Sequence, residues 1–175
     1  LGRSALQSNT TANNNTAVGY QALYNNTTGG QNIAIGGYAL HDNVGSGYNT
    51  AVGYIAGEKL NLTSGNAFNN FFGYAAGRNV TTGVENVALG QTALFYNQTG
   101  HYNVAIGRAS MFGVSGNSHD YNTAVGYKSL FGITTGGNNT VVGYASAIAL
   151  TTGGGNVLMG YYSGQYLTTG DKNIY

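Results

Sequence analysis

One short unit recurs along this 175-residue chain, and its spacing limits the folds that the chain can adopt. The unit is complete at residues 15–23, N-T-A-V-G-Y-Q-A-L, and its glycine returns after 17, 17, 17, 20, 17, 17, 19, 17 and 17 residues. Such a period is typical of solenoids, in which each repeat forms one coil that packs on its neighbours. We therefore treat residues 1–175 as a single repeat array without a second domain. Its motif glycines are Gly2, Gly19, Gly36, Gly53, Gly73, Gly90, Gly107, Gly126, Gly143 and Gly160.

Composition favours strands and turns over helices. The chain has 30 Gly and no Pro, and it is rich in Asn, Thr and Tyr. A circuit of 17 residues at about 3.3 Å each is roughly 56 Å long, which suits a small flattened coil and is too short for a strand-helix-strand crossover. The sequence therefore predicts an all-β fold, a parallel β-solenoid or β-roll of about ten coils.

An asparagine stands four residues before every motif glycine, which makes it the strictest column of the repeat. A short amide side chain bonds nearby backbone groups and tolerates left-handed dihedral angles, so it suits a corner of the coil. In a stack, the same amides would lie above one another and could bond as a ladder. The predicted ladder comprises Asn15, Asn32, Asn49, Asn69, Asn86, Asn103, Asn122, Asn139, Asn156 and Asn173.

Residues between this asparagine and the glycine alternate in size, as with Ala17 followed by Val18. Because side chains along a strand point to opposite faces, we expect the aliphatic residues to be buried and the alanines to lie on the other face. A second small column follows each glycine after three residues, and we expect a second short strand there. Two small columns would let another copy approach closely, so we expect an oligomer, and specifically a trimer.

Loops complete each coil and absorb the irregular steps. Many end in Thr-Thr-Gly, as at residues 27–29, where we expect glycine to supply the positive φ of a tight turn. The 20-residue step adds residues within 58–68 and the 19-residue step within 113–121, and insertions in solenoids form surface loops. Phe71 and Phe72 replace the alanine and the aliphatic residue of the first long coil, so we expect its packing to widen.

Charge and residue type argue against several functions. Only 6% of residues are charged and the net charge is +1, so we expect neither nucleic-acid binding nor membrane insertion. The chain has no Cys, and His41, His101 and His119 are isolated, which argues against a metal site or a cofactor. No two acids share a repeat position that would set carboxylates across a cleft, so we expect no catalytic site and no enzyme. The acids are Asp42, Glu58, Glu85, Asp120 and Asp171.

Aromatic residues follow the motif glycine in six coils and predict a stripe along the stack. Sugar-binding surfaces use such rings, whereas packing between coils is the alternative role of tyrosine on a strand. The candidate glycan contacts are Tyr20, Tyr54, Tyr74, Tyr127, Tyr144 and Tyr161.

N-x-[ST] sequons are frequent, and they make a glycan coat chemically feasible, although an Asn- and Thr-rich chain also produces them by chance. The Thr-Thr turns would align as hydroxyl columns, but an ice-binding face needs a regular array on a strand, so that interpretation ranks last. The candidate glycosylation sites are Asn9, Asn14, Asn25, Asn26, Asn61, Asn79, Asn97 and Asn138.

The two ends of the chain complement one another. Residues 173–175 begin a unit and residues 1–6 finish one, so end to start they spell N-I-Y-L-G-R-S-A-L. We expect both ends to be uncapped, either because the array continues or because copies stack end on end into a filament. The candidate assembly residues are Leu1, Gly2, Ile174 and Tyr175.

The units at residues 15–32 and 103–110, N-T-A-V-G-Y-Q-A-L-Y-N-N-T-T-G-G-Q-N and N-V-A-I-G-R-A-S, resemble the repeats of bacterial and phage tail-fibre-type proteins. They are also similar to the shorter head repeats of YadA-like trimeric autotransporter adhesins. The resemblance implies a trimeric fibre that is extracellular, on a cell surface or on a virion, and that acts in attachment. We therefore expect a rigid, non-enzymatic shaft that binds copies of itself and presents loops to surface glycans. The alternative is a self-assembling extracellular filament with glycans on its surface.

Overall fold

The computed structural model describes all 175 residues and is all-β, without a helix. A single parallel sheet holds nine strands in sequential order, so the chain winds as a β-solenoid of about eight turns, and the predicted all-β parallel solenoid is confirmed. Each strand has three residues. The strands are β1 Thr16–Val18, β2 Ile33–Ile35, β3 Thr50–Val52, β4 Asn70–Phe72, β5 Val87–Leu89, β6 Val104–Ile106, β7 Thr123–Val125, β8 Thr140–Val142 and β9 Val157–Met159.

Equivalent residues of successive coils lie directly opposite one another. Ala34 pairs with Ala17 of the coil before and with Ala51 of the coil after. Ala51 pairs in turn with Phe71 across the 20-residue step, so the extra residues leave the register unchanged and lie in the loop. The columns of the sequence repeat are therefore columns of the structure.

Most of the backbone hydrogen bonds lie outside the strands, where 90 of the 106 are found. The segment after the motif glycine is not the second strand that we expected. It consists of two tight turns in series, closed by the bonds Ala22 N–H to Gly19 O at 3.4 Å and Asn26 N–H to Leu23 O at 3.2 Å. The coil thus has one short sheet, and turns make up the rest of its circuit.

Left-handed residues in this turn segment direct its N–H groups to both neighbouring coils. Gln21 and Leu23 have φ angles of 53° and 51°. The Gln21 N–H donates to Arg3 O in the coil before, and the Leu23 N–H donates to Ala39 O in the coil after, each at 3.0 Å. Every buried backbone donor needs a partner. Because N–H groups of the turn point alternately to the coil before and to the coil after, the turn bonds on both sides as a strand does.

The inside and the outside of the coil are the reverse of what residue size suggested. Ala34 is fully buried, whereas its strand neighbours Ile33 and Ile35 are 41% and 40% exposed. The small column after the glycine is also buried, as at Ala39, beside a core leucine such as Leu40. The expectation that the small columns admit another chain was therefore wrong, because these columns form the core of the coil itself.

Phe71 fits inside the coil because its own coil and the coil before it lack the core leucine. Gly57 and Gly77 occupy the leucine position, and a Cβ there would lie 2.7 Å and 2.5 Å from the Phe71 ring. Leu158 occupies the strand alanine position in the same way, and Gly164 occupies the leucine position of that coil. A Cβ on Gly164 would collide with the Leu158 side chain. Interior volume is conserved by these exchanges, so the local widening that we expected is unnecessary.

Glycines of two columns are required for different reasons. Gly19 of the repeat motif has φ of +136°, and a Cβ there would lie 2.5 Å from the carbonyl carbon of Gly36. Gly29, in Thr-Thr-Gly, is outside the left-handed region, so the positive φ that we expected at this turn was wrong. A Cβ on Gly29 would instead collide with Ser46 O, so close stacking of the next coil is what requires glycine there.

Candidate functional surfaces

The ladder asparagine points into the coil and bonds its counterparts. The Oδ1 atom of Asn32 accepts hydrogen bonds from the backbone N–H of Asn49 at 2.9 Å and from its Nδ2 at 3.0 Å. The Nδ2 of Asn32 donates to Ser46 O at 2.9 Å. The bond from N–H to Oδ1 joins every successive pair from Asn15 to Asn173. These amides thus satisfy the backbone groups of the corner that precedes the strand.

The left-handed residue at this corner is the one before the ladder asparagine. Gln31 and Tyr48 have φ angles of 57° and 61°, whereas Asn32 and Asn49 have ordinary negative ones. The ladder position therefore selects asparagine for its hydrogen bonds. Tolerance of left-handed angles, which we also invoked for this position, plays no part there.

A second amide column lies inside the coil, and the sequence analysis missed it. The Nδ2 of Asn43 donates to Asn26 Oδ1 at 2.9 Å, and the Nδ2 of Asn26 donates to Asn9 Oδ1 at 3.2 Å. Each Nδ2 also donates to a carbonyl three residues ahead: that of Asn26 to Gly29 O and that of Asn43 to Ser46 O, both at 3.0 Å. The recurring spacing of Asn and a small residue three positions later was the signal that could have revealed it.

The candidate glycosylation sites fall into two groups. Asn26, Asn79 and Asn97 are buried, and Asn25 is half-buried with its Nδ2 3.4 Å from Asp42 Oδ1. A glycan attached to a buried Nδ2 would have no room in the folded coil. The remaining candidates are exposed; these are Asn9, Asn14, Asn61 and Asn138.

The outward side of the sheet is uncharged and runs the length of the nine strands. We call the first and third residues of the nine strands the outer sheet face. It contains no charged residue, and its third-residue column is apolar throughout. Leu89 and Met159 of that column are 48% and 60% exposed. The third residues are Val18, Ile35, Val52, Phe72, Leu89, Ile106, Val125, Val142 and Met159.

The six candidate tyrosines lie in one column beside the outer sheet face and form two separate runs. Tyr54 stacks on Tyr74 with ring centroids 6.0 Å apart, and in the second run Tyr144 stacks between Tyr127 at 5.0 Å and Tyr161 at 5.3 Å. All except the half-buried Tyr127 are exposed. The rings thus pack on one another and still present an edge to solvent, so the two roles that we considered for them are compatible.

Other residues join and interrupt this tyrosine column. Tyr38 bridges the first run, with ring centroids 5.2 Å from Tyr20 and 6.0 Å from Tyr54. The pKa of Tyr38 is raised, first by burial and then by the neighbouring Tyr20. Gln91 and Arg108 occupy the column between the runs, and the Arg108 guanidinium lies 5.8 Å from the Tyr127 ring centroid.

A further stacked column lies five residues after the motif glycine and was also missed. Phe112 stacks between Phe95 at 5.0 Å and Phe131 at 5.1 Å. In the same column Arg78 Nε lies 2.6 Å from Glu58 Oε2, so an ion pair takes the place of ring stacking. At these levels of the stack, a ring packs on a ring and a charge pairs with the opposite charge.

The ionisable groups are dispersed along the coils. Asp42 bonds His41 Nδ1 at 2.6 Å, and Asp120 accepts from the His101 backbone N–H at 2.6 Å. Glu85 raises the pKa of Tyr102, chiefly through its charge. No group of three or more histidines and acids has a geometry that could hold a metal ion.

His119 is not the surface loop residue that we expected. It is 2% exposed, and burial lowers its pKa to about 4 while Asp120 acts in the opposite direction. Its Nδ1 lies 3.4 Å from Asn103 Oδ1, and its Nε2 has no hydrogen-bond partner. The Nδ2 of Asn97 is likewise unpaired, so the least satisfied part of the core lies where the second insertion packs on the coil before it.

The outermost coils continue the pattern of the inner ones. The Leu1 amino group donates to Ala17 O at 2.5 Å, and Tyr175 O accepts from the Met159 N–H at 2.9 Å. Leu1 and Ile174 are 93% and 84% exposed.

The chain contains no helix with the length and apolar character needed to cross a bilayer. No protein-family model matches the sequence, and neither the curated proteins nor the solved structures include a significant match to it. The surfaces of the solenoid itself are therefore what indicates its function.

Proposed function

We propose that this chain is a non-enzymatic structural and adhesive segment of an extracellular fibre. The solenoid supplies length and stiffness, and its loops and tyrosine column contact surface glycans. The observation that carries the proposal is the outer sheet face, which is uncharged along all nine strands, has an unbroken apolar column at the third strand residues and is open to solvent in the single chain. An exposed apolar surface of this extent is typical of a protein interface.

The occupant that we propose for the outer sheet face is further copies of this chain. Nine strands about 4.8 Å apart give a face about 38 Å long. The contact that we propose also includes the exposed columns that flank the strands, such as those of Tyr48 and Tyr54, and the seven residues from Tyr48 to Tyr54 at about 3.3 Å each give a width of about 20 Å. The resulting area of about 800 Å² is what each partner buries in a stable protein interface.

Three copies around a common axis are the arrangement that we favour. Cyclic symmetry about the fibre axis keeps equivalent coils level, so the outer sheet face of each copy meets its neighbours along the whole stack. The strand residues of the faces are uncharged, so apposing them brings no like charges together. The resemblance of the repeats to trimeric adhesin heads supports the same number of chains.

Charge substitutions on the outer sheet face test this association. We expect the double variant I35K/L89K to elute as a monomer, because two buried ammonium groups per chain would have to lose their hydration in the interface. T152K, an exposed turn substitution of the same charge type, is the matched control and should assemble like the parent chain. Equal assembly of I35K/L89K and T152K would rule out this face as the contact.

A glycosylated filament in which solenoids stack end on end is the second candidate. The exposure of the sequons at Asn14, Asn61 and Asn138 favours a glycan coat. In this case filament length should fall on dilution, and glycopeptides should be recovered from the native material. Particles of one concentration-independent size without glycans would exclude it.

A further inference from the structure

A polar groove of about 480 Å³ lies on the corner that precedes the strands, alongside the early coils. Thr11, Ala12 and Asn13 form one wall, and Ser64, Gly65 and Asn66 form the opposite wall. The floor is the intervening backbone at glycines 30, 45 and 47 together with Thr28, and Gln31 and Tyr48 border it. Its volume lies within the range of ligand pockets, about 300–1,000 Å³.

The groove exists because one coil is long and the coils below it carry glycines. Residues 64–66 belong to the 20-residue step and form a wall that the 17-residue coils lack. Gly30 and Gly47 follow Asn13 in the same column, so the backbone lies bare between two walls of side chains. Neither glycine can be replaced freely, since a Cβ would lie 3.1 Å from Asn13 O at Gly30 and 2.7 Å from Gly30 O at Gly47.

The lining is hydrogen-bonding and neutral. None of its twelve residues is charged, and most of the exposed lining surface is polar. The hydroxyl groups of Thr10 and Thr27 donate to Thr27 O and Val44 O in the next coils. Those of Thr11 and Thr28, one position further along, line the groove. Residues with hydroxyl and amide groups thus line the groove, and the hydroxyl groups of Thr10 and Thr27 make hydrogen bonds between coils.

An aromatic surface borders these polar groups. Tyr48 lines the groove and is 45% exposed, and its ring stacks on Phe68 with centroids 5.1 Å apart at 30°. Packing against Phe68 fixes the orientation of the ring, so less side-chain entropy is lost when a ligand binds it. An oriented ring beside uncharged donors and acceptors suits a ligand that has both an apolar face and many hydroxyl groups.

We propose that this groove binds a neutral oligosaccharide. The ligand would place the C–H face of a sugar ring near Tyr48 and its hydroxyl groups against Asn13, Thr28 and Asn66. Thr11 and Gly65 lie three coil spacings apart, about 14 Å, so the groove is long enough for several linked sugars. The proposal deepens the adhesive part of the proposed function and depends on it.

A glycan array of neutral, sialylated and sulfated oligosaccharides, probed with the full chain, tests the groove. We expect binding to neutral members, and at least a tenfold loss of affinity in Y48A and in N66A. Y102A is the matched control, because Tyr102 lies in the same column, stacks on Tyr121 at 5.0 Å and does not line the groove. Thermal unfolding of Y48A and Y102A should be alike, which separates loss of binding from loss of folding.

Other outcomes distinguish the groove from the wider adhesive function. Neutral glycan binding that survives in Y48A and N66A and is lost in Y144A would overturn the proposal that the groove is the binding site. Adhesion through the tyrosine column would then remain. Binding confined to sialylated or sulfated members would overturn the groove, since its lining offers no cation. Failure of every glycan to bind would overturn both the groove and the adhesive role, whereas self-association through the outer sheet face would stand.

Discussion

Asn49 donates two hydrogen bonds to a single oxygen of Asn32, from its backbone N–H at 2.9 Å and from its Nδ2 at 3.0 Å. Each ladder asparagine from Asn32 to Asn156 is thus an acceptor for the coil after it and a donor to the coil before it. Because the amides are buried, losing one leaves polar groups without water to replace it.

Removing one ladder amide in mid-stack should be costly. In N86A the Asn103 backbone N–H and Nδ2 lose their shared acceptor, and Gly100 O loses its donor. We expect the free energy of unfolding in urea to fall by about 2–4 kcal/mol. N61A, which truncates an exposed loop asparagine, should change it by less than about 0.5 kcal/mol. Equal stability of the two variants would contradict the structural role of the ladder.

The exchange of core volume around Phe71 can be measured by combining substitutions. F71A alone should cost about 3–5 kcal/mol because it leaves a cavity. G57L alone should also destabilise the chain, since a side chain there collides with the Phe71 ring. Together they should cost less than the sum, because Leu40 occupies the equivalent position with φ of 49°, close to the 58° of Gly57. Additive losses in calorimetry would count against this packing.

Buried His119 should make stability depend on pH. Its pKa is about 4 in the folded chain against 6.5 for an ordinary histidine, so the unfolded chain binds more protons between these values. Stability is therefore full above pH 6.5 and falls as the pH drops towards 4, by at most about 3 kcal/mol. H119S should have the flatter profile between pH 6.5 and 4.5. Parallel profiles for the two chains would mean that His119 titrates normally.

Glycan attachment, if the chain is produced in a glycosylating host, should follow exposure. We expect Asn9, Asn14, Asn61 and Asn138 to be the sites recovered by glycopeptide mass spectrometry of the folded protein. Folded chains should carry none at Asn26 or the other buried sequons, because those Nδ2 atoms have no room for a sugar. Efficient occupancy of Asn26 in folded material would contradict the arrangement of the coil.

Repeat spacing alone predicts the stacking and the register, because a strict column in the sequence can persist only if equivalent residues share one environment. It does not say which side of a strand is inside. Alternation separates Ala34 from Ile35 without assigning either to the core, and the size argument failed because the narrow coil is filled from the opposite side by Leu40. Phe71 shows that the interior volume is limited, because a large residue at the alanine position requires glycine at the leucine position.

Turn geometry was also beyond the sequence analysis. Gln21 and Leu23 adopt left-handed angles that glycine or asparagine would ordinarily signal, and only their bonds to two different coils explain them. The candidate groove requires two distant features, a loop insertion at residues 64–66 and glycines in lower coils, so no local pattern predicts it. The tyrosine column, in contrast, follows directly from the repeat.

The proposal that copies associate through the outer sheet face is tested most directly by the molar mass and shape of the full chain in solution. Multi-angle light scattering with small-angle X-ray scattering should give three times the 18.1 kDa of one chain, in a particle whose coils stack along its long axis. The mass should return to that of one chain in I35K/L89K. A parent chain that stays at 18.1 kDa at every concentration would contradict the proposal, since the apolar face would then be stable in water without a partner.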